Sequence, residues 1–174
     1  NWELIFCELY AGGKYDSDDF TLGLNGLGAC ATQYASEYMD VEVKRDGYIF
    51  TLHFEHGENV GGLKKEGYKG RRTGSIIHWK PDTDVFTDIN IPVDYYRDVL
   101  KRQAVVNRGV KFIFRNQVGK KFEEEEYCYQ DGIKQYIEEM VGDNAFTMPV
   151  FWEAERRGRD AENRPEMKLK ITAS

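Results

Sequence analysis

Apolar and polar positions along the chain fall into short regular elements separated by glycine-marked turns. The opening Glu3-Leu4-Ile5-Phe6-Cys7-Glu8-Leu9-Tyr10 is an apolar run that ends at Ala11-Gly12-Gly13, which we read as a strand. Polar residues occupy Lys14 to Asp19, and the cluster Gly23-Leu24-Asn25-Gly26-Leu27-Gly28 follows. From Ala29 to Tyr38 small and apolar residues sit at 31, 34, 35 and 38, the spacing of one helical face, so a helix is expected to start on the last glycine. Val41 to Arg45 and Tyr48 to Phe54 flank Asp46-Gly47, the strongest short-range signal for a β-hairpin. Residues 57–72 read as a loop, and Ser75 to Trp79 as a further strand stopped by Pro81.

In the second half, Tyr96, Val99, Leu100 and Ala104 recur at three- and four-residue intervals between Val93 and Asn107, an amphipathic helix. Strands are expected at Val110 to Phe114 and Lys121 to Tyr129 around Gly119, then a helix from about Ile133 to Met140. After Gly142 the pattern returns to strand in Met148 to Glu155 and Met167 to Thr172, which read as a sheet whose partners we expect beyond Ser174. A domain boundary is placed near Gly142 to Asn144, separating 1–142 from 143–174. Hairpins outnumber crossovers, so the fold class is α+β, a mostly antiparallel sheet with helices on one face.

Composition sharpens this picture. With 174 residues, 41% apolar and 14% aromatic, the chain has material for one ordinary core, or one core and part of another, despite a mean hydropathy of −0.63. Twenty-four Lys+Arg against 30 Asp+Glu give a net charge of −6, the wrong sign for a dedicated nucleic-acid domain. No apolar run approaches the roughly 18 to 20 residues of a membrane span and no leader pattern opens the chain. A cytoplasmic protein with no membrane partner is therefore expected. Cys7, Cys30 and Cys128 lie far apart and form no C-x-x-C pair, which favours buried thiols over zinc or redox chemistry.

The chemically informative segment is the glycine cluster that opens a helix. Glycines let successive N–H groups converge without Cβ obstruction, and a helix N-terminus adds a positive dipole end, so phosphate suits it. The spacing G-x-x-G-x-G is neither the dinucleotide fingerprint nor a P-loop. Spacing alone is a weak signal, and by itself it favours a plain tight turn slightly over a phosphate cradle.

The wording of the residues goes further. Leu9-Tyr10-Ala11-Gly12-Gly13-Lys14-Tyr15-Asp16, Leu22 to Ala29, Thr73-Gly74-Ser75, Trp79-Lys80-Pro81-Asp82 and Phe86 stand in one order along the chain. Together with Tyr95 to Gly109 and Tyr127 to Ile137, they closely resemble the ATPase region of bacterial type IIA topoisomerase B subunits. That is the gyrase B and topoisomerase IV B family, in the superfamily shared with heat-shock chaperones, MutL and histidine kinases. The resemblance covers nearly the whole chain. It implies a two-layer α/β sandwich of the gyrase type, followed by the first strands of a transducer domain.

It also implies roles. The backbone of Gly23, Leu24, Asn25, Gly26, Leu27, Gly28 and Ala29 would hold the terminal phosphates of ATP, and Lys14 would approach them from a lid. Phe20 stands where the family has an adenine-contacting tyrosine, and Ser75 matches the hydroxyl that helps fix adenine through water. Arg45 would lie at the pocket rim as an inhibitor contact, and Ile77 on the pocket floor. Asn25 replaces the usual histidine of gyrases, and Leu22 replaces a glycine. The family's general base, its Mg2+-binding asparagine and its adenine-anchoring aspartate match no residue of this sequence, and a lysine from the transducer is likewise without a counterpart. The expectation is that ATP and Mg2+ are the cofactors of the whole subunit, and that this chain holds no catalytic or metal-ligating residue and is inactive alone. Implied partners are DNA, the gyrase A or topoisomerase IV A subunit, and a second ATPase region that dimerises on ATP binding. The alternatives are a non-catalytic nucleotide- or inhibitor-binding fragment, or a MutL-like or chaperone relative.

Other clusters read as structural. Glu123 to Glu126 is a solvated strand, because alternate carboxylates face opposite sides. Lys64 to Arg72 is an exposed basic loop with an interleaved tyrosine, for which contact with DNA or a second protein chain is the alternative. His53, His56 and His78 show no zinc or triad spacing, and Cys30 is a packing residue.

Overall fold

The computed structural model describes residues 2–11, 26–144, 146–159 and 167–173. The chain divides into two compact units, Asn1–Asn90 and Ile91–Ser174.

The first unit is built on a hairpin. Strands β1 (Ser36–Arg45) and β2 (Tyr48–Glu55) pair antiparallel from Arg45↔Tyr48 to Tyr38↔Glu55. Asp46 (φ 52°) and Gly47 (φ 77°) are both left-handed, the turn whose twist matches that of its strands. This register sets Met39 opposite Phe54 and Val41 opposite Leu52, and all four are buried. Helices α1 (Trp2–Phe6) and α2 (Gly28–Tyr34) supply Trp2, Phe6 and Ala29 to the same cluster. Phe54 is its centre, with ring centroids of Phe6 at 5.8 Å and Trp2 at 6.1 Å. On the other edge of β2 lie β3 (Glu58–Asn59) and β4 (Lys64–Gly67), while β5 (Gly74–Pro81) pairs antiparallel with β1. One sheet face is thus covered by helices and the other left open, which bears out the expected α+β layering.

Three local expectations are corrected. The opening apolar run is a helix, because a segment this short carries no decisive period and a helical turn brings Trp2 and Phe6, four apart, onto Phe54. The helix begun at Gly28 ends at Tyr34, not near Tyr38. Ala35 is its C-cap, and Ser36 already belongs to β1, its hydroxyl donating back to the Thr32 carbonyl. Residues 57–72 include β3 and β4, whose lysine-rich sequence masks a strand that pairs with β2 from Tyr48↔Gly67 to Thr51↔Lys64.

Asp82 closes this unit. It is buried at 7% exposure, and its amide donates to the Ala35 carbonyl at 3.0 Å. One carboxylate oxygen accepts from the Asp84 amide at 2.8 Å, and the other meets His56 Nδ1 at 2.7 Å. The end of β5, the α2–β1 junction and the β2–β3 turn are so tied at one residue. The Asp84 amide first, then His56, hold the Asp82 carboxyl below its usual value, and Asp82 raises the His56 imidazole.

The second unit packs helix α3 (Val93–Val106) against a hairpin of β6 (Phe112–Val118) and β7 (Lys121–Tyr127). Ala104, Val105 and Tyr129 are its buried cluster, with Ile133 and Tyr136 of α4 (Ile133–Val141) packed on it. Gly132 precedes α4 at φ 59°, and a Cβ there would sit 3.2 Å from the Val105 carbonyl; only glycine fits without a shift. The acidic run lies in β7 with its carboxylates paired, Glu124 with Arg115, Glu126 with Lys111 and Glu125 with Arg97. After a 3-10 turn at Gly142–Asn144, β8 (Trp152–Gly158) and β9 (Met167–Ala173) pair with each other as a separate antiparallel sheet.

Two outcomes follow. Phe54→Ala should destabilise the first unit by about 3–5 kcal/mol in urea denaturation followed by tryptophan fluorescence; a loss below about 1 kcal/mol would mean that α1 does not share this core. His56→Gln should lose stability mainly between roughly pH 4 and 6, where the carboxylate is charged and the imidazole protonated. The raised imidazole contributes below its ordinary value and ceases to as pH climbs through the raised one, while the lowered Asp82 stops contributing in strong acid. A wild-type-minus-mutant difference that stays constant from pH 5 to 9 contradicts this assignment.

Candidate functional site

The sequence-derived site residues divide into two groups. Lys14, Phe20, Gly23, Leu24 and Asn25 lie outside the described residues. Gly26, Leu27, Gly28, Ala29, Arg45, Ser75 and Ile77 can be placed.

Gly26 has φ +62°, a left-handed conformation that glycine adopts at no steric cost. Leu27 is the N-cap of α2 and provides no side-chain hydrogen bond to the first turn. The first intrahelical bond runs from the Ala31 amide to the Leu27 carbonyl at 2.9 Å, so the preceding amides of this turn are the ordinary unpaired donors of a helix start. A Cβ placed on Gly28 would meet nothing within 4 Å. Among the described residues, the start of α2 therefore combines backbone donors that have no intrahelical partner with open space beside Gly28. Ala29 and the fully buried Cys30 anchor the other side of the helix. Burial pushes the Cys30 thiol up, which fits a packing residue rather than an activated nucleophile.

Strand β5 contributes the other residues. Its register sets Ser75 opposite Val43 and Ile77 opposite Val41, and side chains two apart share a sheet face. Ser75 and Ile77 therefore lie on the face that α1 and α2 cover, and Ile77 remains 47% exposed. Arg45 shares this parity at the end of β1. Its guanidinium is committed to Asp46, Nε to Oδ2 3.1 Å, and is highly exposed at the hairpin tip. Ser75, Ile77 and Ala29 are thus brought to one face of one sheet, and Arg45 stands at its edge.

The open face carries a polar ladder that the sequence spacing hid. Asp40 lies opposite His53 of β2 and His78 of β5. His53 Nδ1 is 2.7 Å from Asp40 and its Nε2 3.0 Å from Glu55, and these bonds, Glu55 first, raise its imidazole. His78 lies 3.9 Å from Asp40 and 3.4 Å from the Tyr38 hydroxyl. Asp40, His53 and His78 border a shallow groove of about 300 Å³ with Thr51 and Ile76. The usable signal is cross-strand: positions equidistant from the Asp46-Gly47 turn must face each other. Among the described residues, no group of three or more His, Cys, Asp or Glu is arranged to hold a metal ion.

No family model matches the chain. Individual proteins do. It is 38% identical over 142 residues to the B subunit of DNA topoisomerase 4 from Salmonella typhimurium, covering 80% of this chain and 22% of that protein. It is 32% identical over 145 residues to the B subunit of DNA gyrase from Synechocystis, covering 81% of this chain and 13% of that one. The chain thus spans about a fifth of the length of the Salmonella protein it matches. Among solved structures, the topoisomerase IV ATP-binding domain of Francisella tularensis, in complex with a small-molecule inhibitor, superposes with a TM-score of 0.65 at 22% identity, over 92% of this chain and 41% of that one. The 43K ATPase domain of Thermus thermophilus gyrase B, in complex with an aminocoumarin, gives 0.62 at 24% identity, over 77% and 36%. Over four fifths of its length by sequence, and by fold, the chain is similar to one part of the B subunits of bacterial type IIA topoisomerases, and its fold is that of the gyrase-type ATPase domain.

Proposed function

We propose that this chain is the ATP-binding part of a type IIA topoisomerase B subunit. In the whole enzyme, ATP binding would dimerise two such regions, and turnover would drive one DNA duplex through another together with a gyrase A or topoisomerase IV A subunit. The observation that carries the reading is that the start of α2, without a side-chain cap, lies over the same sheet face as Ser75 and Ile77. The division into an ATP-binding part, 1–142, and the first strands of a transducer, 143–174, belongs to the same reading, as does action on DNA in the cytoplasm. No helix among the described residues is long and apolar enough to cross a membrane.

The residues present fit a phosphate ligand. Free amides at a helix start favour an anion, and the space beside Gly28 admits one. We assign the amides of Gly23 to Ala29 to the terminal phosphates, with Lys14 as a point charge toward them. Ser75 is assigned to the adenine edge, with Phe20 against its ring, Ile77 beneath and Arg45 at the rim, where an inhibitor would also touch. Mg2+ would accompany the phosphates and lower their charge; no described cluster fits it, so no step is assigned to a protein-bound metal. The part of the chain is binding and orientation, without a base of its own.

Titration calorimetry with a non-hydrolysable ATP analogue tests this. One site per chain is expected, weakened about tenfold or more by Gly26→Val, whose β-branched side chain opposes the left-handed backbone. Ser75→Ala should cost about 1 kcal/mol, or roughly fivefold. Equal binding by wild type and Gly26→Val sinks the cradle assignment. Phosphate release by the chain alone would overturn the assignment of a binding-only part.

A further inference from the structure

Five of the cations that have no carboxylate partner among the described residues of this acidic chain follow one another in the fold. Lys64 and Lys65 lie on β4, which is exposed throughout, and Lys69, Arg71 and Arg72 lie on the exposed segment that joins it to β5. Elsewhere Arg102, Lys120 and Lys121 also lack a carboxylate partner among the described residues, but no other run gathers as many, and many described cations are paired. Lys80, Arg97, Lys101, Arg108, Lys111, Arg115 and Lys134 all meet a carboxylate within 4 Å.

The five are wrapped round one end of the sheet. Lys65 is opposite Phe50 on β2, and the Tyr68 amide donates to the Gly47 carbonyl at 2.8 Å, which pins the segment to the hairpin turn. Its far end returns to β1 at Lys44↔Gly74, close enough for Arg72 to oppose the charge on Lys44. Glu66 is the one carboxylate of the band outside the Lys44–Glu42 and Arg45–Asp46 pairs.

We infer that this band is a docking surface for the phosphodiester backbone of duplex DNA. Uncompensated lysines and arginines on an exposed ridge release counterions when they meet phosphates, without reading sequence. The aromatic residues favour duplex over single strand. Lys65 Nζ sits 3.7 Å from the Tyr48 ring centroid and Lys44 Nζ 5.7 Å from that of Tyr68. A cation already occupies one face of each ring, which leaves that face unavailable for the base stacking that single-strand binders use. The choice of DNA over RNA rests on the proposed function; the band itself does not depend on the nucleotide site.

The test is fluorescence anisotropy with a labelled mixed-sequence duplex of about 20 base pairs, from about 25 to 200 mM salt. Wild type should bind with a log–log salt slope of roughly −3 to −5. Replacing Lys64, Lys65, Lys69, Arg71 and Arg72 by Gln should weaken binding about tenfold or more and flatten the slope. A control with the same charge change, Arg102, Arg108, Lys111, Arg115 and Lys134 to Gln, should stay within about threefold. Arg71→Gln with Arg72→Gln, outside any strand, gives a smaller loss of the same kind if the fivefold variant does not fold. The inference fails if wild type does not bind at the lowest salt, if both fivefold variants lose equally, or if oligo(dT) or polyglutamate competes as well as duplex. It also fails if the band variant keeps its affinity and instead self-associates, since Lys64 and Lys65 would then only guard an edge strand. ATP-analogue titration of the same variants reads the nucleotide site separately, so its loss with duplex binding intact counts against the proposed function and not against the band.

Discussion

The register between β1 and β2 is the constraint on which the first unit depends. Side chains alternate faces with a period of two, so a one-residue slip would turn Met39, Val41, Leu52 and Phe54 to solvent and bring Asp40, Glu42 and His53 under the helices. Asp46 and Gly47, both left-handed, fix that register at the turn. Burial of Phe54 against Phe6 and Trp2 fixes it again at the other end. From this one alignment come the helix-covered face with Ser75 and Ile77, the open face with its histidine–carboxylate ladder, and the place where β4 can join β2. The proposed nucleotide site and the DNA-facing band are both consequences of it.

The second unit is stabilised by a different balance. Its buried cluster is small, Ala104, Val105 and Tyr129, and polar contacts surround it. Arg97 bridges Asp94 and Glu125, and Lys101 and the Tyr129 hydroxyl share Glu139. Exposed pairs of this kind contribute little singly. Here they join α3 to β7 and α3 to α4, so they orient elements that the small apolar cluster has already brought together. The same pairing explains why four successive glutamates are tolerated on one strand: cations from β6 and α3, with Lys111 just before β6, meet three of them.

Legibility from sequence followed the strength of the local signal. The Asp46-Gly47 hairpin, the helix from Val93, the β6–β7 hairpin and the helix after Gly132 were readable because turn chemistry and period agree there. The opening helix was misread because five residues with Trp2 and Phe6 at its ends look alike in either conformation. The end of α2 was overrun because Ala35 and Tyr38 continue a helical spacing while the backbone turns into β1. β4 was missed because an edge strand of lysines has no apolar alternation to detect. Of the site, Gly26 to Ala29 was legible as glycine chemistry and Ser75 and Ile77 only through the family resemblance. The His53–Asp40–His78 ladder and the His56–Asp82 pair needed the register, since nothing local joins residues 13 to 38 positions apart.

The placement of charge adds a physical reason to separate the two faces of this chain's chemistry. A site made of backbone amides at a helix start has a weak, short-ranged field that falls away within a turn, so it tolerates a chain with an overall charge of −6. Attraction of a polyanion does not: at ordinary ionic strength charges act over roughly 8–10 Å, and carboxylates interspersed among cations cancel them within that distance. Many other cations are paired with nearby carboxylates, while Lys64, Lys65, Lys69, Arg71 and Arg72 have no carboxylate partner among the described residues, which gathers five uncompensated positive charges on one ridge. An acidic protein can in this way present a local basic surface, provided its lysines and arginines are sorted by position and not by number.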